Sequence, residues 1–265
     1  MSEPRIMRME PHGPAGVGMT EWDAIPPEGL TAGPPVQRGF EYFNDARNGL
    51  TSGVWDCTPM TEKPGAYGVN EFMVVLEGSV TIVDRHGGEE TIRAGEAFVM
   101  PKGMPSTWRQ TEYIRKFYVI FDDASGATPE DPSALRVIRP RPDDALAEIE
   151  VDTSVGFVGD VPTQHAQCYF TDLTGQMTVG QWRSTPFERA PGRFPRHELM
   201  HLLEGSVTLT DGDGVEHQFS AGDTLFVPMG AVCGWKSTET VRKFYCIFIE
   251  QQAKAQSDAA EDAAE

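Results

Sequence analysis

The chain has 265 residues, with 22 Lys and Arg against 40 Asp and Glu and a formal net charge of −18, which argues against nucleic acid and anionic membranes as partners because both are bound through basic patches. No segment is long and apolar enough to cross a bilayer and no basic stretch followed by an apolar run opens the chain, so a cytoplasmic protein is expected. Cys57, Cys168, Cys233 and Cys246 show no CxxC spacing, which suggests neither a zinc knuckle nor a disulfide framework.

In chain order, residues 1–38 are rich in Pro and Gly and read as an extended arm that wraps a lobe or a partner subunit. Residues 42–121 then align without a gap with residues 169–248, at a constant offset of 127 that puts Trp55 on Trp182, Gly78 on Gly205 and Trp108 on Trp235. An internal repeat of this size implies two lobes of one architecture. The expected organisation is an arm over 1–38, a first domain over 39–123, a linker over 124–166, a second domain over 167–250 and an acidic, low-complexity tail over 251–265 that has nothing to bury and is expected to be disordered. Inside the linker, Pro142 followed by Asp143-Asp144 and the Ala/Leu/Glu run to Ile149 predicts one short helix.

Each copy carries signals for strands. Leu76 to Val83, a turn over Asp84 to Gly88, and Thr91-Ile92 predict a hairpin, repeated from Leu203 to Leu209 around Asp211-Gly212-Asp213-Gly214. Ala94-Gly95-Glu96 and Ala221-Gly222-Asp223 predict the next turn, followed by apolar runs that stop at Pro101 and Pro228. Short strands punctuated by Gly and Pro, without an amphipathic helix in either copy, predict an all-β sandwich or barrel.

Glu198 to Gly205, then Gly222-Asp223 with Pro228-Met229-Gly230, resemble the two characteristic motifs of the cupin superfamily. The continuation Cys233-Gly234-Trp235-Lys236 and Val241-Arg242-Lys243-Phe244-Tyr245, matched by Trp108-Arg109 and Ile114-Arg115-Lys116-Phe117-Tyr118, is similar to the ureidoglycine aminohydrolase-like or EutQ-like branch. The resemblance covers both copies and implies two tandem cupin barrels, each a jelly roll or double-stranded β-helix, preceded by the Pro/Gly-rich arm. It further implies a metal held by two histidines and a glutamate of the first motif and a histidine of the second. Those histidine places carry Gly192, Phe194 and Cys233 in the second copy and Gly65, Tyr67 and Ser106 in the first, so only Glu71 and Glu198 remain. One carboxylate cannot satisfy a metal that wants three or four donors. Neither a metal nor another cofactor is therefore expected, although Glu198 with Cys233 would make half a site.

Both copies share a carboxylate and a cation, Glu71 with Lys116 and Glu198 with Lys243. A lysine inside the barrel would neutralise the glutamate where relatives hold a metal; a lysine on the outside would discourage sheet-to-sheet association. Lys116, Tyr118 and Ile120 share one strand face and Phe117, Val119 and Phe121 the other. The all-apolar face is the better core candidate, which favours the outward lysine.

His197-Glu198-Leu199-Met200-His201 spells HExxH, a zinc motif that works only on a helix. Here it continues into a strand pattern, where two histidines four residues apart are separated by roughly 13 Å. The match is read as accidental. The paired tryptophans Trp55, Trp182, Trp108 and Trp235 suit barrel core, with Trp108 and Trp235 also placed to stack a ligand. Arg189, Arg193 and Arg196 precede the first motif of the second copy alone, against Glu62, Ala66 and Val69 in the first, and would favour an anionic ligand or pair with a neighbouring subunit.

The expectation is a bicupin whose C-terminal barrel binds a small polar, anionic metabolite. Glu198 and Cys233 are the candidate catalytic groups, and Arg193, Phe194, Met200, Trp235 and Lys243 are the ligand contacts, with Tyr67, Glu71 and Trp108 as their N-terminal counterparts. Hydrolysis, isomerisation or lyase chemistry on a carboxylated or ureido substrate is what the resemblance implies. The alternatives are a non-catalytic ligand-binding or structural homodimer with degenerate sites, and a metal-dependent cupin enzyme.

Overall fold

The computed structural model describes residues 3–250, so the acidic tail lies outside the described residues. Strands dominate, and among the described residues the only helical turns are short 3-10 turns at Pro27–Gly29, Pro132–Ala134 and Thr153–Val155. Two compact units form, one from residues 9–141 and one from the described parts of 1–8 and 142–265.

Each unit is a pair of antiparallel sheets. In the first, Asn70–Glu77 lies between Ala97–Met100 and Ile114–Phe121, and the sheet continues through Leu50–Cys57 and Gln37–Asp45 to Thr20–Glu21. The second sheet runs Glu89–Arg93, Ser79–Asp84, Pro105–Gln110, Met60–Glu62 and Leu30–Ala32. The other unit repeats this plan, with His197–Glu204 between Thr224–Val227 and Val241–Phe248. Alternation along each strand sends one set of side chains between the sheets, where Ile82, Ile92, Phe98 and Met100 form one core and Leu209, Phe219, Leu225 and Val227 the other. Each such side chain contributes roughly 1.5–3 kcal/mol through burial. The arrangement is that of two jelly rolls, as the strand pattern predicts.

The duplication is longer than the sequence alignment indicates. Thr20 pairs with Gly39 and Glu21 with Arg38; 127 positions on, Ala147 pairs with Ala166 and Glu148 with His165. Likewise Leu30 pairs with Glu62, and Phe157 with Arg189. The segment expected as an extended, wrapping arm and the segment expected as a linker are thus one element occurring twice, each adding an edge strand to both sheets of its own barrel. This also corrects the helix expected over 143–149. Ala147–Ile149 is a strand because backbone pairing with Gln164–Ala166 outweighs the favourable helical propensity of an Ala/Leu/Glu run, which tertiary context readily overrides. The start of the chain does wrap a lobe: Ile6 joins the core of the C-terminal barrel, and the Arg8 guanidinium meets Asp223 at 2.9 Å and stacks 4.2 Å over Phe219.

The outward lysine is corrected as well. Both faces of Ile114–Phe121 are buried, Phe117, Val119 and Phe121 on one and Lys116 and Tyr118 on the other, so this strand has no solvent face on which to place a charge. Parity favoured the apolar face as core, and the lysine face is core too.

Gly78 and Gly205 sit at φ of 73° and 75° in matching turns, and a Cβ on either would collide with a backbone carbonyl, that of Tyr113 or of Thr240. We expect Gly205→Ala to cost about 1–3 kcal/mol through left-handed strain, with the clash adding to it. A drop in the urea midpoint of the C-terminal barrel checks this; an unchanged midpoint contradicts it.

Candidate functional site

Glu198 and Met200 alternate onto the inner face of His197–Glu204, and Lys243 enters the same space from the neighbouring strand, directly opposite Trp182 in register. The Lys243 ammonium donates to Glu198 Oε1 at 2.7 Å and lies 3.1 Å from Met200 Sδ. It also sits 5.0 Å and 5.4 Å from the ring centres of Trp182 and Trp235, within cation–π range of both. The N-terminal barrel repeats the arrangement. Lys116 donates to Glu71 Oε1 at 2.7 Å, lies 3.0 Å from Met73 Sδ, and is 4.8 Å from the rings of both Trp55 and Trp108. Each barrel therefore holds a buried ammonium in a box of two tryptophans, a thioether and a carboxylate. The indoles are themselves held, Trp55 donating to Gln37 at 2.9 Å and Trp182 to Gln164 at 3.2 Å.

The second carboxylate oxygen distinguishes the copies. Tyr67 donates its hydroxyl to Glu71 Oε2, whereas in the C-terminal barrel Phe194 replaces this tyrosine and Arg196 Nε takes Glu198 Oε2 at 3.0 Å. Burial alone would raise the Glu198 pKa, but Lys243 and Arg196 outweigh it and hold the carboxyl below its ordinary value. Burial lowers the Lys243 pKa, and Glu198 opposes this only in part, with Arg196 and Arg189 adding like-charge repulsion. Burial likewise drives the Tyr67 hydroxyl well above its ordinary value, with Glu71 adding to the rise.

These donors do not fit a metal. The oxygen that would bind one is occupied by an ammonium, and the positions matching the missing histidines supply glycine, aromatic, serine or a buried thiol. His197 and His201 lie on the strand face opposite Glu198. The His197 ring neighbours Phe226 and Phe248 and accepts from the Met229 N–H, while His201 meets Thr224 at 2.8 Å and burial pushes its pKa down to about 4. HExxH here is a strand pattern, as expected.

Above each lysine lies a cavity, about 410 Å³ in the C-terminal barrel and about 210 Å³ in the N-terminal one. Every residue lining the smaller cavity has its repeat partner lining the larger. Of the expected site residues, Phe194, Met200, Trp235, Lys243 and Glu198 line the larger cavity, and Tyr67, Glu71 and Trp108 the smaller. Cys233 and Arg193 line neither. Cys233 is buried with its thiol pushed up to about 11, the reverse of what a thiolate nucleophile needs. Arg193 is exposed and donates to the Gly230 carbonyl at 3.3 Å. The arginines that reach the cavity are Arg189 and Arg196.

Sequence reasoning missed Tyr118 and Tyr245, although each follows its lysine by two residues on the same strand face. It also missed the segments around Trp22 and from Ile149 to Phe157, which supply part of each cavity wall. Their sequences have diverged too far for the repeat to be seen in residue identities, and only the conserved pairing register exposes it.

The family model of the EutQ-like cupin domain matches twice, over residues 46–118 and 171–245. A protein of unknown function of the DUF861 family from Pseudomonas syringae pv. tomato is similar over 92% of this chain and 100% of its own, at 26% identity and a TM-score of 0.75. A cupin 2 conserved barrel domain protein from Leptotrichia buccalis (10% identity, TM-score 0.55, 81% of this chain and 89% of its own) shares the fold. So does the salicylate 1,2-dioxygenase of Pseudoaminobacter salicylatoxidans (14%, TM-score 0.51, 79% and 74%). No curated protein matches the chain.

Removing a lysine should harm the barrels unequally. Lys116→Met leaves Glu71 with only a neutral hydroxyl and should cost about 3–5 kcal/mol, the usual penalty for an uncompensated buried charge. Lys243→Met leaves Arg196 on Glu198 and should cost less; equal losses in urea unfolding would contradict this. The pH dependence follows from the depressed Glu198 pKa, since the folded protein binds fewer protons there than the unfolded chain. Its contribution is present above about 4.5, the ordinary carboxyl value, and is lost as the pH falls through the folded value. Glu198→Gln should therefore flatten the acid limb of the stability curve relative to wild type.

Proposed function

The chain belongs to the EutQ-like cupin family, and on that premise we propose that its C-terminal barrel binds a small organic anion, most simply a carboxylate, without a bound metal. The observation that carries this reading is Arg189. Arg189 lines the larger cavity, where its side chain reaches the Cys233 thiol but forms no ion pair with a carboxylate among the described residues. Arg196 lines the same wall with only part of its fork engaged on Glu198. A planar guanidinium facing a cavity without a carboxylate partner suits a ligand that brings one. Phe187, stacked on Trp235 at 5.5 Å and 2°, and Trp182 supply apolar walls for the rest of the ligand. Besides Glu198, the carboxylates lining the cavity among the described residues are Glu150 and Asp152, and both are exposed, so water and salt weaken their repulsion of an anion.

Glu198 acts here as an anchor. Both oxygens are engaged and its pKa is depressed, so at neutral pH it has no proton to donate. A catalytic version of the reading rests on Lys243, which lines the cavity beside Glu198 and would have to give up its proton before acting as a base. Product formation from a bound ligand, followed by NMR and abolished in Lys243→Met, supports an enzyme; binding without turnover supports a binding protein.

Isothermal titration with short mono- and dicarboxylates is expected to give saturable binding. Arg189→Glu, which installs the acidic residue type found at the matching Glu62, should weaken it at least tenfold, or about 1.4 kcal/mol. Undiminished affinity in this variant would remove the basis of the reading.

A further inference from the structure

The N-terminal cavity has the same plan but lacks the two arginines and carries an additional inner carboxylate. Where the larger cavity has Arg189 and Arg196, the smaller has Glu62 and Val69, so its charged lining is Glu62, Glu71 and Lys116. Lys116 and Glu71 satisfy each other. The Glu62 carboxylate faces the cavity and makes no hydrogen bond or ion pair among the described residues; only its backbone carbonyl accepts, from the Thr31 hydroxyl. A half-buried carboxylate without a partner pays a desolvation cost that an entering cation would relieve. Burial raises the Glu62 pKa, and Lys116 offsets this only in part.

Both cavities have aromatic walls, and the smaller one differs in carrying a third tryptophan. Trp55, Trp108, Tyr67 and Tyr118 are joined by Trp22 from the preceding segment, at the place Ile149 holds in the C-terminal barrel. The Trp22 ring meets Tyr118 edge-on at 6.5 Å, and its backbone N–H is fixed to the Gln37 carbonyl at 3.0 Å. Room for the indole comes from Gly39, where a Cβ would penetrate the ring; the matching position beside the smaller Ile149 is Ala166. Aromatic faces around an acidic group recognise alkylammonium ions, through attraction to the ring quadrupoles as well as to the carboxylate. The lysine ammonium already held between Trp55 and Trp108 uses the same interaction.

We infer that the N-terminal barrel is a second binding site, for a small organic cation of the primary or quaternary amine class, seated between Glu62 and Trp22. The volume of about 210 Å³ restricts it to compact amines. The site is independent of the anion proposed for the other barrel, and either can fail alone.

The test is titration of the full chain with n-butylammonium and tetramethylammonium chloride, read by calorimetry and by tryptophan fluorescence, with sodium butyrate at matched ionic strength as the charge-reversed control. Saturable alkylammonium binding is expected, not displaced by butyrate. It should weaken at least tenfold in Glu62→Gln, which keeps side-chain size while removing the charge, and in Trp22→Leu. Glu62→Arg, which carries the residue of the matching position, provides a second charge variant and should abolish it. Absence of saturable alkylammonium binding in the folded wild type, unchanged affinity in Glu62→Gln, or displacement by butyrate would each overturn the assignment.

Discussion

A buried ammonium paired with a buried carboxylate is the constraint around which each barrel is arranged. Taking either charge out of water costs several kcal/mol, and the pair is tolerable only when the remaining donors and acceptors also find partners. The surroundings meet that condition. Two indoles face the ammonium, a thioether approaches it, and the second carboxylate oxygen is satisfied by a hydroxyl in one barrel and a guanidinium in the other. One indole of each pair, Trp55 or Trp182, is tied to Gln37 or Gln164, so the polar network extends from the barrel floor into the strand that follows each covering segment.

This arrangement accounts for the chemistry available. A metal needs several neutral or anionic donors converging on one point, and here the point is held by a cation. In the C-terminal barrel Lys243 and Arg196 keep Glu198 ionised and capped, which removes it as a general acid there. On the reading proposed above, ligand preference follows from positions at which the copies differ. Replacing Glu62 by Arg189, Tyr67 by Phe194 and Val69 by Arg196 changes the local charge while the tryptophans, the lysine, the glutamate and the following tyrosine stay the same. The Tyr67 and Val69 exchanges are coupled, because the phenylalanine removes the hydroxyl that served the carboxylate and the arginine restores a donor to the same oxygen.

Much of this was legible before the structure. Glycines at turns, prolines that stop strands and the repeated spacing led to a duplicated all-β sandwich or barrel, the cupin resemblance implied tandem jelly rolls, and comparison of the copies singled out Glu71, Glu198, Lys116 and Lys243. Alternation could not orient the lysines, because parity predicts a buried face only when the other face meets water, and here neither does. Cys233 illustrates the same difficulty from the other side. Its place in the motif suggested a reactive group, whereas its burial makes the thiol a poor nucleophile. The edge segments were opaque for a different reason. Their strands are two or three residues long, and backbone hydrogen bonds that hold them in register leave almost no mark on side-chain identity.

What the sequence by itself determined is the all-β duplicated architecture, since it depends on residue types at regular intervals along the chain; that other residues stand where the cupin resemblance implies metal-binding histidines is read from the same intervals. Only the tertiary structure decided that the lysines turn inward, that Arg189 and Arg196 rather than Arg193 reach the cavity, and that the arm and the linker are the same wall built twice. Those outcomes turn on which surfaces are covered by residues distant in sequence, and a local pattern carries no information about what will lie against it.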